Sequence, residues 1–218
     1  MHGLPQLALI FGTAFIVGFS GAMMPGPLLA VTIHESTRRG SVAGPLIVLG
    51  HAVLEAALVG AIVLGLASFL RSPLVIGVVG IAGGAMMGWM GQDMVRSARR
   101  LSLRAATSAP SRMHPVAAGV VVSLSNPYWT IWWATTGITY LIMGLKYGMA
   151  GVLVFFAGHI LSDLTWYTLV SVGVARGRTL MSDSVYRRAI ALCGVALIAF
   201  GIWFLSTGIG RLAELARG

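Results

Sequence analysis

Polar residues along this chain gather into a few short segments, and the stretches between them are apolar for the length of a bilayer crossing. A hydrocarbon core takes roughly 20 apolar residues to span as a helix. Applied here, that rule predicts spans near 7–33, 43–69, 73–95, 116–143, 148–173 and 186–210. The links are short except for RSARRLSLRAATSAPSRMHP, from Arg96 to Pro115, which is basic and rich in Ser, Ala and Pro. It divides the chain into a three-helix unit at 1–95, a cytoplasmic linker at 96–115 and a second three-helix unit at 116–218. The expected fold is an all-α polytopic membrane protein with six transmembrane helices.

Composition agrees: 57% of the 218 residues are hydrophobic and 10% are charged, where a soluble domain carries about 25% charged residues. The N-terminus, MHGLPQLALIFGTAFIVGF, lacks a basic n-region, and its apolar run outlasts a signal-peptide core, so it reads as a retained first span. One cysteine, Cys193, excludes a disulfide framework and Cys-based metal or redox chemistry. No cofactor is expected.

The net charge of +9 does not point to nucleic acid, because the arginines form short clusters without a basic stripe and interleaved aromatics. They follow membrane orientation instead. Arg38 and Arg39, then Arg96, Arg99, Arg100, Arg104 and Arg112, then Arg176, Arg178, Arg187 and Arg188 all fall in links after odd-numbered spans. The other side holds Arg71, Lys146, Arg211 and Arg217. The positive-inside rule therefore places both termini outside the cytoplasm.

The two units resemble each other. Pro27 in MMPGPLL and Pro127 in SLSNPYW occupy matching places in spans one and four, and His51 and Glu55 in span two match His159 and Asp163 in span five. GIAGGAMMGW (80–89) runs parallel to GVALIAFGIW (194–203). Three spans is an odd number, so the second copy enters the membrane from the opposite side, giving an inverted repeat typical of transporters.

Proline inside a helix removes a backbone donor and clashes with the preceding turn. PGP at 25–27 does this twice around a glycine, and SNP at 125–127 joins helix-competing Ser and Asn to a proline. Discontinuous helices are expected at both places, their freed backbone groups lining a polar cavity. A half-helix N-terminus there suits a carboxylate and a C-terminus a cation, so Pro25, Gly26, Pro27, Ser125, Asn126 and Pro127 are candidate substrate-binding residues. A plain proline kink is the simpler alternative. Ser20 and Ser123 lie near enough to add hydrogen bonds, and Gly18, Gly21 and Gly26 also suit close helix approach.

His51 with Glu55 and His159 with Asp163 each share a helix face at i and i+4. Of six acidic residues only Glu55 and Asp163 lie deep; Glu35, Asp93, Asp183 and Glu214 sit near span ends or in links. A charge at mid-membrane costs about 2.5–3.5 kcal/mol on insertion scales and needs a partner or a polar cavity. Three uses are open. The pairs form a proton site, with carboxylates oriented by imidazoles; or one site for a divalent metal; or neutral hydrogen-bonding locks between helices.

These features resemble the LysE/RhtB-type amino-acid exporter family. The stretch GFSGAMMPGPLLAVTIHESTRRGSVAGPLIVLGHAVLEAAL carries the likeness in the first half, and SLSNPYWTIWW in the second. The resemblance implies an inner-membrane exporter of amino acids or related metabolites, coupled to proton or cation entry, acting as a homodimer. Carried onto this chain it points to Pro25, Gly26 and Pro27 with Asn126 and Pro127. The His-acid pairs depart from the better-known amino-acid exporters, and the wider superfamily includes metal exporters, which generally lack PGP.

GFSG at 18–21 also fits the G-x-S-G pattern of intramembrane serine proteases, with Ser20 as nucleophile and His51 or His159 as base. In a chain with 29 glycines that is a remote alternative. Trp129, Trp132 and Trp133, with Tyr128 and Tyr140, gather aromatics in span four, as a cation-π face or as anchors and packing. His34 and Glu35 are expected to be solvated at the end of span one.

Overall fold

The computed structural model describes residues 3–70, 72–100, 102, 113–177 and 182–217. Helix α1 (Leu4–Ala22) is followed by α2 (Pro27–Arg39), a 3₁₀ turn (Gly40–Val42) and α3 (Ala43–Ala61), which continues through a π turn (Ile62–Leu66) into the short α4 (Ala67–Leu70). Then come α5 (Pro73–Ala98), α6 (Pro115–Leu124), α7 (Pro127–Trp132), a second π turn (Trp133–Gly137), α8 (Ile138–Leu145), α9 (Gly148–Gly177) and α10 (Asp183–Leu215). Most of the expected linker, residue 101 and residues 103–112, lies outside the described residues.

Five stretches are long and apolar enough to cross a membrane: Leu4–Ala22, Pro27–Leu66, Pro73–Ala98, Gly148–Gly177 and Asp183–Leu215. The protein is a multi-pass membrane protein. Two of the expected spans are divided. Over 7–33, α1 stops at Ala22, Gly26 is extended (φ −153°, ψ −176°), and α2 starts afresh at Pro27. The span expected over 116–143 is divided between α6, which ends at Leu124, and α7, which opens at Pro127. Proline is tolerated in the first turn of a helix but not in its middle, so each proline begins a new helix. Asn126 caps α7, its side chain accepting the Tyr128 amide at 3.1 Å.

Helix α2 turns into α3 at Gly40, whose φ of 75° suits glycine. Glu35 is buried rather than solvated, 6% exposed. It accepts from Arg39 Nε at 2.7 Å and lies 3.6 Å from Arg38. The reason is packing: α2 lies against α9, where Ser36 Oγ donates to Ser171 Oγ at 2.9 Å. His34 Nδ1 lies 3.3 Å from Tyr186 Oη, and Ala98, Tyr186 and Ile190 form one apolar cluster. Those contacts gather the arginine-bearing ends of α2, α5 and α10 at one end of the bundle.

The helices pair as α1 with α9, α3 with α6, and α5 with α10. Glycines set each approach. A Cβ on Gly50 would meet the Val116 carbonyl oxygen, and one on Gly119 that of Ile47. Helices α5 and α10 run antiparallel on a seven-residue glycine repeat, with Gly77, Gly84 and Gly91 facing Gly208, Gly201 and Gly194. A Cβ at Gly84 would lie 2.7 Å from the Gly201 carbonyl, and the reverse distance is the same. Small residues permit this backbone contact, which association in lipid relies on.

Candidate functional site

Helices α3 and α9 cross with their His-acid faces inward, and the two pairs become one cluster. His51 Nε2 lies 3.1 Å from Glu55 Oε1 and 3.4 Å from Asp163 Oδ2. His159 Nε2 lies 3.0 Å from Glu55 Oε2 and 3.7 Å from Asp163 Oδ2. All four residues are buried, and one donor atom from each lies within 4.8 Å of the others.

The surrounding helices hold this cluster unevenly. Because α6 meets α3 backbone to backbone at Gly119, Ser123 one turn later reaches His51 Nδ1 at 2.7 Å. That contact leaves Nε2 to face the acids. The indoles of Trp129 and Trp133, one turn apart and ending at the π turn, both donate to Glu55 Oε1, at 2.9 and 2.7 Å. Trp132 stacks on the His159 ring at 4.6 Å. Glu55 Oε2, Asp163 Oδ2 and both ring nitrogens of His159 have no aligned hydrogen-bond partner among the described residues. Buried polar atoms are normally satisfied, so the inner face of the cluster is where a proton, an ion or a substrate group would be received.

A cavity of about 60 Å³ opens on this face. It is lined by His51, Glu55, His159 and Asp163, by Pro25 and Gly26 at the first helix break, and by Asn126 at the second. Three other candidates stand differently. Pro27 is buried behind the wall as the first residue of α2, Ser125 turns its hydroxyl back to the Val121 carbonyl at 2.7 Å, and the side chain of Pro127 lies outside the described residues. Ser20 is exposed and donates to the Val17 carbonyl at 2.7 Å. It does not line the cavity, and its hydroxyl bonds backbone rather than His51 or His159, so no nucleophile-base pair forms with either.

Sequence reasoning missed Ser123 as the partner of His51, and the carboxylate contact of Trp129 and Trp133. Their i, i+4 spacing was the available sign: it puts both indoles on one face. Trp133 is also part of the buried apolar core, with Trp129 and Trp132 packed against it, as the packing alternative expected.

Gly18 presses on the opposite side of His159. A Cβ there would meet Ser162 Oγ and lie 2.7 Å from His159 Nδ1. Gly18→Ala is therefore expected to push the His159 ring off Glu55 and cut transport at least about tenfold, the scale on which small misplacements of site groups act, while the purified protein elutes as the parent does. Parental transport would show that the ring has room to move.

A membrane bundle with a buried His-acid cluster opening into a cavity between broken helices defines a transporter-like class. The chain belongs to the LysE type translocator family, whose profile matches residues 19–208. It is 26% identical over 207 residues to YcgF of Bacillus subtilis (strain 168), to which amino acid efflux is ascribed, covering 93% of this chain and 98% of that one. It is 31% identical over 194 residues to the chemotactic transduction protein ChpE of Pseudomonas aeruginosa, covering 87% and 94%. No solved structure matches. Members of this family are transporters rather than enzymes, acting on small molecules across a lipid bilayer.

Proposed function

We propose that this protein exports amino acids or related small metabolites in exchange for protons. The helix breaks would hold the substrate's main-chain groups and His51, Glu55, His159 and Asp163 would form the coupling site. One observation carries this reading: one cavity touches both helix breaks and all four residues of the His-acid cluster. A cluster with two carboxylates at mid-membrane is costly to expose or move while charged. Protons entering from one side, or a cationic group of the substrate from the other, relieve that cost, and alternation between them makes an antiporter. Glu55 and Asp163 exchange the protons; His51 and His159 tune them.

Helix pairing supports the inverted repeat. Exchanging the halves carries the α1–α9 contact onto α6–α3 and α5–α10 onto itself. The glycine contacts relate α5 to α10 at an offset of 117, from Gly84 and Gly201, three residues from the 114 of Trp89 and Trp203. Clustered arginines support a cytoplasmic location for that end, hence termini outside the cytoplasm in an inner membrane. A homodimer belongs to the same proposal.

The four donor atoms within 4.8 Å also suit a single divalent ion, which is the second reading. The cavity's reach to Pro25, Gly26 and Asn126 favours an organic substrate. Proteoliposomes loaded with a labelled amino-acid mixture, or with Mn²⁺ or Zn²⁺, separate the two. Amino-acid efflux should accelerate when the outside is made acidic and slow again when a protonophore collapses the gradient. Metal efflux without amino-acid efflux would reverse the assignment.

A further inference from the structure

The cavity lining is of two chemical kinds. Its polar part includes the N-terminus of α2 at Gly26 and Leu28, which has no side-chain cap and begins with a proline that lacks an amide proton. The next amides, of Leu28 and Leu29, belong to the first turn, whose donors have no partner within the helix. Trp132 and Tyr128 also line the cavity, with Nε1 and Oη 3.3 and 3.6 Å from where a Cβ on Gly21 would lie. Asp163, 4% exposed, also lines the cavity; its Oδ2 takes no aligned hydrogen bond among the described residues and faces His51 Nε2 at 3.4 Å and His159 Nε2 at 3.7 Å. Glu55 Oε1 takes two indole donors, while its Oε2 lies closer to an imidazole than Asp163 Oδ2 does, 3.0 Å from His159 Nε2.

The apolar part includes Met87 from α5 and Phe200 from α10, with the Tyr128 ring 6.4 Å from that of Phe200. Outside the four-residue cluster, no acidic or basic side chain lines the cavity among the described residues.

We propose that the substrate is a neutral amino acid with an apolar side chain, of the leucine, methionine or phenylalanine type. Its carboxylate lies at the N-terminus of α2, its ammonium on Asp163 Oδ2, and its side chain against Met87 and Phe200. The helix N-terminus suits the anion, and a carboxylate without an aligned hydrogen bond suits the cation. A substrate with a second charge, such as lysine or glutamate, would carry it into the apolar part without a counter-ion. Serine would leave that part unfilled. The proposal rests on the export reading for the direction of movement alone; binding is a separate quantity.

The test is binding of leucine, methionine, phenylalanine, lysine, glutamate and serine to the purified full chain in detergent. Tryptophan fluorescence reads it, since Trp129 and Trp132 line the cavity. The same six compounds are followed as counterflow in proteoliposomes. The apolar three should bind at least about tenfold tighter than the others, the discrimination expected of a hydrophobic pocket. Phe200→Ala should weaken leucine by about tenfold and leave serine unchanged; Phe200→Glu should shift preference toward lysine. Lysine, glutamate or serine binding as tightly as leucine overturns the proposal, and so does binding of none of the six. Leucine binding without efflux sinks the export reading and leaves this one standing. Preferential efflux of lysine does the opposite.

Discussion

Glu55→Gln and Asp163→Asn should each lower proton-driven efflux by about a hundredfold or more while leaving a folded protein. The magnitude follows from the charge involved. About 2.5–3.5 kcal/mol attends an uncompensated charge at mid-membrane, and each 1.4 kcal/mol is a factor of ten. An amide carries no charge to neutralise, so the exchange of proton for substrate loses its driving constraint. The fold should survive because the amide introduced by Glu55→Gln would keep a carbonyl oxygen where Glu55 Oε1 now accepts Trp129 and Trp133. Thermal melts followed by tryptophan fluorescence should shift by no more than about 5 °C, the effect of 1–2 kcal/mol in a chain of this size. The two readouts must separate. Parental efflux in both variants rejects the coupling role, and collapse of both melts shows the cluster to be a structural lock.

Gly50→Val should be the most damaging substitution in the scaffold. Helices α3 and α6 meet there through backbone, Gly50 against the Val116 carbonyl and Gly119 against that of Ile47. A clash with backbone cannot be relieved by turning a side chain, so the helices must separate. Overpacking of this kind costs about 1–3 kcal/mol, and more where backbone must shift, which lowers the melting temperature by up to about 10 °C in a chain of this size. Function should fall further than stability, since separating α6 from α3 withdraws Ser123 from His51, now 2.7 Å apart. Gly60 on the same helix has nothing within 4 Å of an added Cβ, so Gly60→Ala is the control and should melt as the parent does. Equal melts for Gly50→Val and Gly60→Ala would mean that α3 and α6 do not touch as described.

Much of this architecture was visible in one dimension because the bilayer enforces it locally. Each crossing needs its own apolar run, and each proline acts on its own turn, so Pro27 and Pro127 marked helix starts before any packing was known. The i, i+4 geometry likewise made each His-acid pair visible by itself. Glu35 shows the limit of that reading. Beside Arg38 and Arg39 it looked like a solvated turn, yet it is buried because α2 folds onto α9 and α10, a contact no local pattern encodes.

The amino-acid order alone determined a membrane protein built from apolar helices, two interrupted helices, and two buried pairs in search of partners. Only the tertiary structure decided that the pairs are one site. His51 reaches Asp163 across 112 residues of chain because glycines at 44, 50 and 119 let α3 lie against α9 and α6 without side chains between them. Tertiary contact also made the carboxylates unequal, with Glu55 held by two indoles and Asp163 Oδ2 facing only the two imidazoles, without an aligned hydrogen bond among the described residues. The physical reason is range. Hydropathy and helix geometry act over a few residues, whereas the environment of a buried charge depends on which helices meet around it.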